Sequence, residues 1–141
     1  MHVGLLSFLL SASASTDKPN IILIVGDDVG HHNVGYNGNK EVKTPVIDGL
    51  VEEGARFDRM YAYFWCSPSR ASLMSGRFPV HVYQGGQLPV AVDAGLPLPM
   101  TTLAEKMRGA GYSTVATGKW HLGFGTQAHI PVNRGFDSHL G

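Results

Sequence analysis

The chain has 141 residues, of which 43 % are hydrophobic and 16 % are charged, and its formal net charge at pH 7 is zero. This length suits one small domain or part of a larger one. The neutral balance lacks the basic footprint of a nucleic-acid-binding protein, so no nucleic-acid partner is expected. The single cysteine excludes an intrachain disulfide framework and a Cys-rich zinc site.

Residues 1–15 form a candidate secretory signal peptide. Residues 3–10 are largely apolar, and Ala12-Ser13-Ala14 resembles a small-residue cleavage site. No lysine or arginine precedes the apolar run, so a ragged or misassigned start is the alternative. The run is well below the roughly 18 residues that suggest a transmembrane helix, so no membrane span is expected.

Two acidic residues follow the first apolar run. Residues 21–25 are continuously apolar and rich in isoleucine, which predicts a strand buried on both faces of a parallel sheet. Gly26 ends the run, and Asp27 and Asp28 come next, where the active sites of open α/β sheets lie. Adjacent carboxylates repel unless a cation neutralises them, and hard divalent cations prefer oxygen ligands. The pair therefore indicates a metal site, with a solvated turn as the alternative.

Two helices have clear start signals. Thr44 is a predicted N-cap, Pro45 suits the first helical position, and Gly54 ends the helix. The second helix begins near residue 101, because Thr102 and Glu105 have the spacing of a capping box.

The remaining elements are predicted less directly. Residues 57–62 are a plausible short strand, and residues 112–117 are a predicted second core strand. Residues 79–99 carry prolines and glycines and are interpreted as a long surface loop, where substrate contacts are one option. Residues 131–137 are interpreted as a turn, with no element expected after them.

Cys66 occupies the most informative stretch of the chain. Pro68 favours the first turn of a helix, which we expect to run from Ala71 to a stop at Gly76. Cys66 is therefore predicted in the loop that enters a helix N-terminus, where free N–H groups favour an anion. Arg70 adds a fork of donors suited to an oxyanion. The alternative is that Cys66 is a small buried hydrophobe.

Lys119 and His121 follow the second predicted core strand. In an extended segment, alternate residues project to the same side. A cation and an imidazole directed to one place suit an anion whose leaving group needs a proton. A surface lysine and a hydrogen-bonded histidine are the alternative.

The order of these motifs resembles that of the type I sulfatases. The matching stretches are the acid pair, Cys66-Ser67-Pro68-Ser69-Arg70, Gly118-Lys119-Trp120-His121 and Arg134-Gly135-Phe136-Asp137. The nearest group by these motifs is the arylsulfatase B-like enzymes of the alkaline-phosphatase-like superfamily. The resemblance implies an α/β fold, in which residues 18–141 are the N-terminal portion of a three-layer α/β/α sandwich with a mainly parallel central sheet.

The resemblance also implies a set of ligands and a modified residue. Asp27 and Asp28 would bind calcium. Cys66 would be oxidised to formylglycine by a formylglycine-generating enzyme. The hydrate of that residue would bind the calcium and attack sulfur, and its second hydroxyl would allow sulfate to be expelled.

Three further residues acquire roles through the same resemblance. Arg70 would steady the formylglycine hydrate, Lys119 would contact the sulfate, and His121 would contact the formylglycine hydroxyl. The implied function is hydrolysis of a sulfate ester in a sulfated small molecule or a glycosaminoglycan sugar. Oxidation of the cysteine and the apolar leader together indicate the secretory pathway, with a lysosomal or extracellular destination.

Two other functions remain open from the sequence. One is a metal-dependent phosphodiesterase or phosphatase of the same superfamily, and the other is a non-catalytic binder of sulfated ligands. The later metal ligands, second histidine and second lysine of the family are expected downstream of residue 141. The chain is therefore expected to be an inactive part of a sulfatase.

Overall fold

The computed structural model describes residues 18–82 and 94–141. The helices in these ranges are α1 (Pro45–Glu53), α2 (Cys66–Ser75), α3 (Pro79–Val82) and α4 (Leu103–Gly109), and the strands are β1 (Val115–Thr117) and β2 (Ser138–Leu140). Single turns of 3-10 helix occur at His31–Asn33, Gly35–Asn37, Gln127–His129 and Pro131–Arg134. The candidate signal peptide and residues 83–93 of the predicted loop lie outside the described residues.

The two strands form a parallel sheet in which Ala116 lies beside His139. The N–H of Asp137 donates to the carbonyl of Thr114 over 2.8 Å and extends the pairing by one residue. Parallel strands need a crossover, which residues 118–137 supply here. The arrangement of short helices around a parallel strand pair agrees with the predicted α/β class.

The core lies between α2, α3 and the loops that flank α4 and β1. Leu96 and Leu122 are completely buried, and the N–H of Leu96 donates to the carbonyl of Leu122 over 2.9 Å. The buried core residues are Ala71, Val82, Leu96 and Leu122, with Met74, Met100 and Trp120 packed against them. The burial of Leu96 corrects the prediction that all of residues 79–99 form a surface loop, and Pro79–Val82 is helical.

Of the two predicted helix starts, one has the predicted side-chain capping and the other does not. Thr102 and Glu105 form the capping box: the Thr102 hydroxyl accepts from the Glu105 N–H over 3.1 Å, and the Glu105 carboxylate accepts from the Thr102 N–H over 2.7 Å. Thr44 precedes α1 as predicted, but its hydroxyl donates to the Asp48 side chain and does not cap the helix.

The helix after the cysteine begins at Cys66 itself and not at Ala71. Trp65 is the extended N-cap residue, and Gly76 ends the helix in the left-handed region with φ of +66°. The N–H of Gly76 donates to the carbonyl of Ser72 over 2.8 Å, as expected for a glycine that ends a helix.

The prediction of a doubly buried strand at residues 21–25 is wrong for this structure. The segment pairs with neither strand, and its side chains are exposed by 46 % at Val25 to 86 % at Ile22. An apolar cavity of about 630 Å³ separates the segment from β1 and α4. A run of this kind is buried only where strands flank it and helices cover both faces of the sheet, and the described residues do not supply them.

The prediction of a short strand at residues 57–62 is also wrong. These residues form a turn and irregular chain, and Phe57 and Tyr61 are 75 % and 84 % exposed. An apolar composition predicted extended pairing here, but the described chain contains no strand beside it.

The end of the chain follows the prediction in part. Pro131–Arg134 is a 3-10 turn, and Gly135 ends it with φ of +98°. The expectation that no element follows is wrong, because β2 pairs with β1. β2 has only three residues, too few to show a hydrophobic alternation in the sequence.

Candidate active site

Helix α2 carries the cysteine and the arginine of the predicted site. Cys66 is the first residue of the helix and is half-buried, while the following Ser67 and Pro68 are buried. Arg70 lies four residues later and so projects from the same face as Cys66. The hydroxyl of Ser69 donates to the carbonyls of Tyr63 and Trp65 at 2.7 and 2.8 Å, which ties the helix start to the preceding aromatic run.

A carboxylate flanked by two cations lies beside this helix. The Nζ atom of Lys119 is 2.7 Å from Oδ2 of Asp27, and Nη2 of Arg70 is 3.5 Å from the same oxygen. Arg70 also donates through Nη1 to the backbone carbonyl of Lys119. Three residues that are distant in sequence are therefore joined by ionic and hydrogen-bonding contacts.

Asp27 and Lys119 shift each other's pKa. The hydrogen bond from Lys119 lowers the pKa of Asp27 below 3.8, opposed by desolvation and assisted by the charges of Lys119 and Arg70. The bond to Asp27 raises the pKa of Lys119 above 10.5, again opposed by desolvation, with a smaller contribution from Cys66.

The loop after β1 delivers Lys119 and His121. Gly118 follows the strand with φ of +88°, and His121 is itself in the left-handed region with φ of +57°. This turn breaks the simple alternation expected for an extended segment. The indole N–H of Trp120 donates to the carbonyl of His129 over 2.9 Å, and the buried Leu122 secures the other end of the loop.

His121 lies within electrostatic reach of the charged group. Although the residue as a whole is exposed, partial desolvation lowers the pKa of its imidazole below 6.5. The positive charges of Lys119 and Arg70 lower it further, and Asp27 raises it. The ring is therefore neutral at pH 7 and can accept or donate a proton through different nitrogens.

Asp28 is not brought into this arrangement. It adopts φ of +55°, and none of the described hydrogen bonds or ion pairs involves its side chain. Direct contacts thus join Asp27, Arg70 and Lys119, while Cys66 begins the helix that carries Arg70 and His121 follows Lys119 in the same loop. Asp28 follows Asp27 in the chain without a described side-chain contact.

The side chains of Asp27 and Asp28 supply only some of the ligands that a calcium ion needs. Two carboxylates are oxygen ligands of the kind that calcium takes, but calcium binds about six to eight oxygens. Within residues 18–82 and 94–141 there is no group of three or more His, Cys, Asp and Glu side chains placed to hold a metal. The described residues therefore supply part of a coordination shell.

One residue that supports the site was not predicted from its chemistry. Arg134 is 2 % exposed and donates to the carbonyls of Leu96 and Met100 over 2.8 and 2.6 Å. Its own carbonyl accepts from the Thr102 hydroxyl over 2.7 Å. A single arginine in a turn gives no sequence signal of burial, because its partners are backbone carbonyls more than 30 residues away.

The family model described as Sulfatase matches residues 19–141, and the chain belongs to this family. Mouse arylsulfatase J is 39 % identical over 132 residues, covering 93 % of this chain and 22 % of the relative. Human arylsulfatase A is 41 % identical over 142 residues, covering 98 % of this chain and 28 % of the relative. The solved structure of Ps i-CgsB in complex with k-i-k-neocarrahexaose is 42 % identical with a TM-score of 0.81, covering 89 % of this chain and 29 % of that chain.

These similarities confirm the predicted family and fold. The chain spans about a quarter of the length of the curated relatives it matches. Its parallel strands and helices correspond to part of the alkaline-phosphatase-like α/β fold of the solved sulfatases. None of the helices in the described ranges is long and apolar enough to cross a membrane.

We expect the imidazole of His121 to titrate below pH 6.5, because desolvation and two neighbouring cations disfavour its charged form. As pH falls below 6.5, the unfolded chain binds a proton that the folded chain resists, so the free energy of unfolding decreases until the folded pKa is passed. Proton NMR of the histidine ring measures the midpoint. The titration midpoint of His121 should rise toward 6.5 in Lys119→Met, because one of the neighbouring cations is removed. Lys40→Met removes an exposed lysine and is the control, in which the midpoint should stay constant. A midpoint above 6.5 in the wild type would contradict the expectation.

Proposed function

We propose that residues 18–141 form the N-terminal portion of the catalytic domain of a sulfuric ester hydrolase of the arylsulfatase type. The observation that carries the proposal is the pairing of the Asp27 carboxylate with Lys119 and with Arg70, which projects from the helix that Cys66 begins. Membership of the sulfatase family supports the same chemistry. The curated relatives named arylsulfatase support the aryl sulfate class as a test substrate.

The cationic side chains suit a sulfate ester. The oxygens of the sulfate group carry negative charge that resists a nucleophile, so a fixed guanidinium and an ammonium would offset this charge as the ester reacts. Arg70 is only 15 % exposed in its side chain and is held by its contact to the Lys119 carbonyl. A preorganised cation of this kind needs little rearrangement when the substrate arrives.

His121 is proposed to exchange a proton with the nucleophile or with the departing alcohol. Its lowered pKa keeps the ring neutral at pH 7, so one nitrogen is able to accept while the other donates. The charges of Lys119 and Arg70 act on the ring, which supports a role for His121 in the same site.

Cys66 is proposed to be the site of the nucleophile after oxidation to formylglycine by a formylglycine-generating enzyme. The first position of α2 supports this role, because the N–H groups of a helix start and its dipole favour an anionic group beside it. When formed, the modified residue supplies a hydrated aldehyde with two hydroxyl groups on one carbon. The other residues of the group would bind the sulfate and hold the proton.

Asp27 and Asp28 are proposed as calcium ligands, with the modified Cys66 as a third. Bound calcium would act as a Lewis acid toward a sulfate oxygen. The adjacency of the two carboxylates and their hard oxygen donors support the assignment, and the remaining ligands would come from outside the described residues.

The substrate is proposed to be a sulfated small molecule or a glycosaminoglycan sugar. The similar solved structure in complex with k-i-k-neocarrahexaose supports a carbohydrate. Residues 1–15 are proposed to direct the protein into the secretory pathway, toward the lysosome or the cell exterior. N-terminal sequencing of the mature protein tests this, and an intact Met1 would contradict it.

The function is tested by two measurements on the full-length protein, of which residues 18–141 would be the N-terminal portion, made in cells that form formylglycine. Mass spectrometry of the Cys66 peptide should show the aldehyde or its hydrate. Assays with a chromogenic aryl sulfate and the matching aryl phosphate should show preference for the sulfate. An unmodified thiol together with preferential phosphate hydrolysis would favour the phosphatase alternative, and binding of sulfated sugars without turnover would favour the non-catalytic one.

A further inference from the structure

The loop that carries Lys119 and His121 ends at a buried histidine. His129 is only 5 % exposed and is the last residue of the 3-10 turn Gln127–His129. Nδ1 of its ring lies 2.7 Å from the hydroxyl oxygen of Thr126, a hydrogen-bonding distance. The proposed reaction does not use this imidazole, although burying a polar ring costs free energy unless the ring is hydrogen-bonded.

Two glycines make room for the side chain of His129. A Cβ atom on Gly95 would overlap the edge of the imidazole ring and would lie 2.6 Å from the carbonyl oxygen of Leu122. A Cβ atom on Gly123 would lie 2.9 Å from the Cβ of His129, and Gly123 adopts φ of +110°. The backbone at these glycines therefore packs directly against His129, which side chains at the same positions would prevent.

The main chain of His129 is joined to the part of the loop that contains the site residues. Its carbonyl accepts a hydrogen bond from the indole N–H of Trp120 over 2.9 Å. Trp120 lies between Lys119 and His121 in the chain. His121 adopts φ of +57°, a conformation that a residue other than glycine keeps only where its surroundings hold it. The contact between Trp120 and His129 is one such constraint.

We propose that His129 is a positioning residue, whose hydrogen bond with Thr126 fixes the turn that holds Trp120 and thereby orients Lys119 and His121. The Thr126 hydroxyl does not cap the turn, so it is available to the ring, and the His129 N–H donates to the Thr126 carbonyl over 3.1 Å. Reacting groups need supporting contacts of this kind to stay in a productive geometry. The expected effect on rates rests on the proposed function, which assigns Lys119 and His121 to the reaction.

The first test is the kinetics of Thr126→Val and Thr126→Ser in the full-length protein. Valine has the shape of threonine without the hydroxyl, and serine keeps the hydroxyl. In Thr126→Val, the kcat for a chromogenic aryl sulfate, counted per folded molecule, should fall about 10- to 100-fold, with KM changed less than about three-fold, because misplaced groups slow the reaction more than they weaken binding. Thr126→Ser should stay close to wild type. A loss of stability alone would leave the kcat of the folded molecules unchanged.

The second test observes the loop without any activity, by hydrogen exchange and mass spectrometry of the same full-length variants. Peptides from residues 118–129 should exchange faster in Thr126→Val, while peptides from α1 should be unchanged. His129→Phe should give the same pattern, and the double variant should add little, because both changes remove one hydrogen bond. His81→Phe replaces an exposed histidine of α3 and is the control, in which the loop should exchange as in the wild type.

The results that overturn the positioning role are distinct from those that overturn the proposed function. Exchange of the loop that is unchanged in Thr126→Val, or that rises equally in α1, contradicts the positioning role. A kcat as low in Thr126→Ser as in Thr126→Val also contradicts it, because the hydroxyl would then be irrelevant. If the wild type hydrolyses no aryl sulfate, the proposed function fails, while the exchange measurement still decides whether His129 and Thr126 fix the loop.

Discussion

Replacing Arg134 with methionine is expected to lower the free energy of unfolding by about 2–4 kcal/mol, because charge-assisted hydrogen bonds are lost and their carbonyls stay buried. The guanidinium donates to the carbonyls of Leu96 and Met100 over 2.8 and 2.6 Å, and its Nε lies 3.5 Å from the Glu105 carboxylate. Methionine fills a similar volume but donates no hydrogen bond, so the variant isolates the polar contacts from the packing.

Chemical denaturation followed by circular dichroism measures this change. Arg108→Met is the matched control, because Arg108 is exposed on α4 and its removal should change stability by less than about 0.5 kcal/mol. Equal unfolding midpoints for the two variants would show that the buried network contributes little. A lower midpoint for Arg134→Met alone is the expected result.

The same network connects stability to the candidate site. Arg134 holds the backbone around Leu96, and the N–H of Leu96 donates to the carbonyl of Leu122. Leu122 lies directly after His121 and is completely buried. Loss of the Arg134 contacts should therefore loosen the loop that positions Lys119 and His121, even though Arg134 touches neither in the described contacts.

The helices were predictable because their signals are local. The capping box at Thr102 and Glu105 needs only residues three positions apart, and the stop at Gly76 needs only a residue that adopts positive φ. The start of α2 was misplaced by five residues, because a cysteine and a serine carry no strong preference for the first turn.

The strands were less predictable because a strand depends on a partner elsewhere in the chain. Residues 21–25 have the composition of a buried strand, yet they pair with no strand in the described ranges. Ser138–Leu140 has no such composition, yet it pairs with Val115–Thr117. Composition predicts which segments favour extended backbone, but pairing is decided by the fold.

The sequence predicted which residues belong to the candidate site, but it did not predict which of them contact each other. The cysteine, arginine, lysine and histidine were identified from motifs, and the arginine and the lysine pair with Asp27 in the structure. The sequence suggested two equivalent carboxylates in Asp27 and Asp28. The structure pairs Asp27 with a lysine 92 residues away, and no local pattern contains that information.

Cys66→Ser in the full-length protein, made in cells that form formylglycine, is expected to lose multiple turnover, a result that rests on the proposed function. A serine hydroxyl is still able to attack the sulfur of an aryl sulfate, forming a serine sulfate ester as the phenol leaves with a proton. The serine carbon bears no second hydroxyl to expel the sulfate, so the ester persists. Multiple turnover should fall by at least about 1000-fold, as when other enzymes lose their nucleophile.

Mass spectrometry of the peptide that contains position 66 should then show one added sulfate group in Cys66→Ser after long incubation with the aryl sulfate. Cys66→Ala is the matched control: it should lose turnover equally but remain unmodified, because alanine has no hydroxyl. Arg70 and Lys119 are intact in both variants, so substrate binding should persist and separate a chemical defect from a binding defect. Full turnover by Cys66→Ser would contradict the formylglycine mechanism. A sulfate adduct on Cys66→Ala would place the nucleophile at another residue.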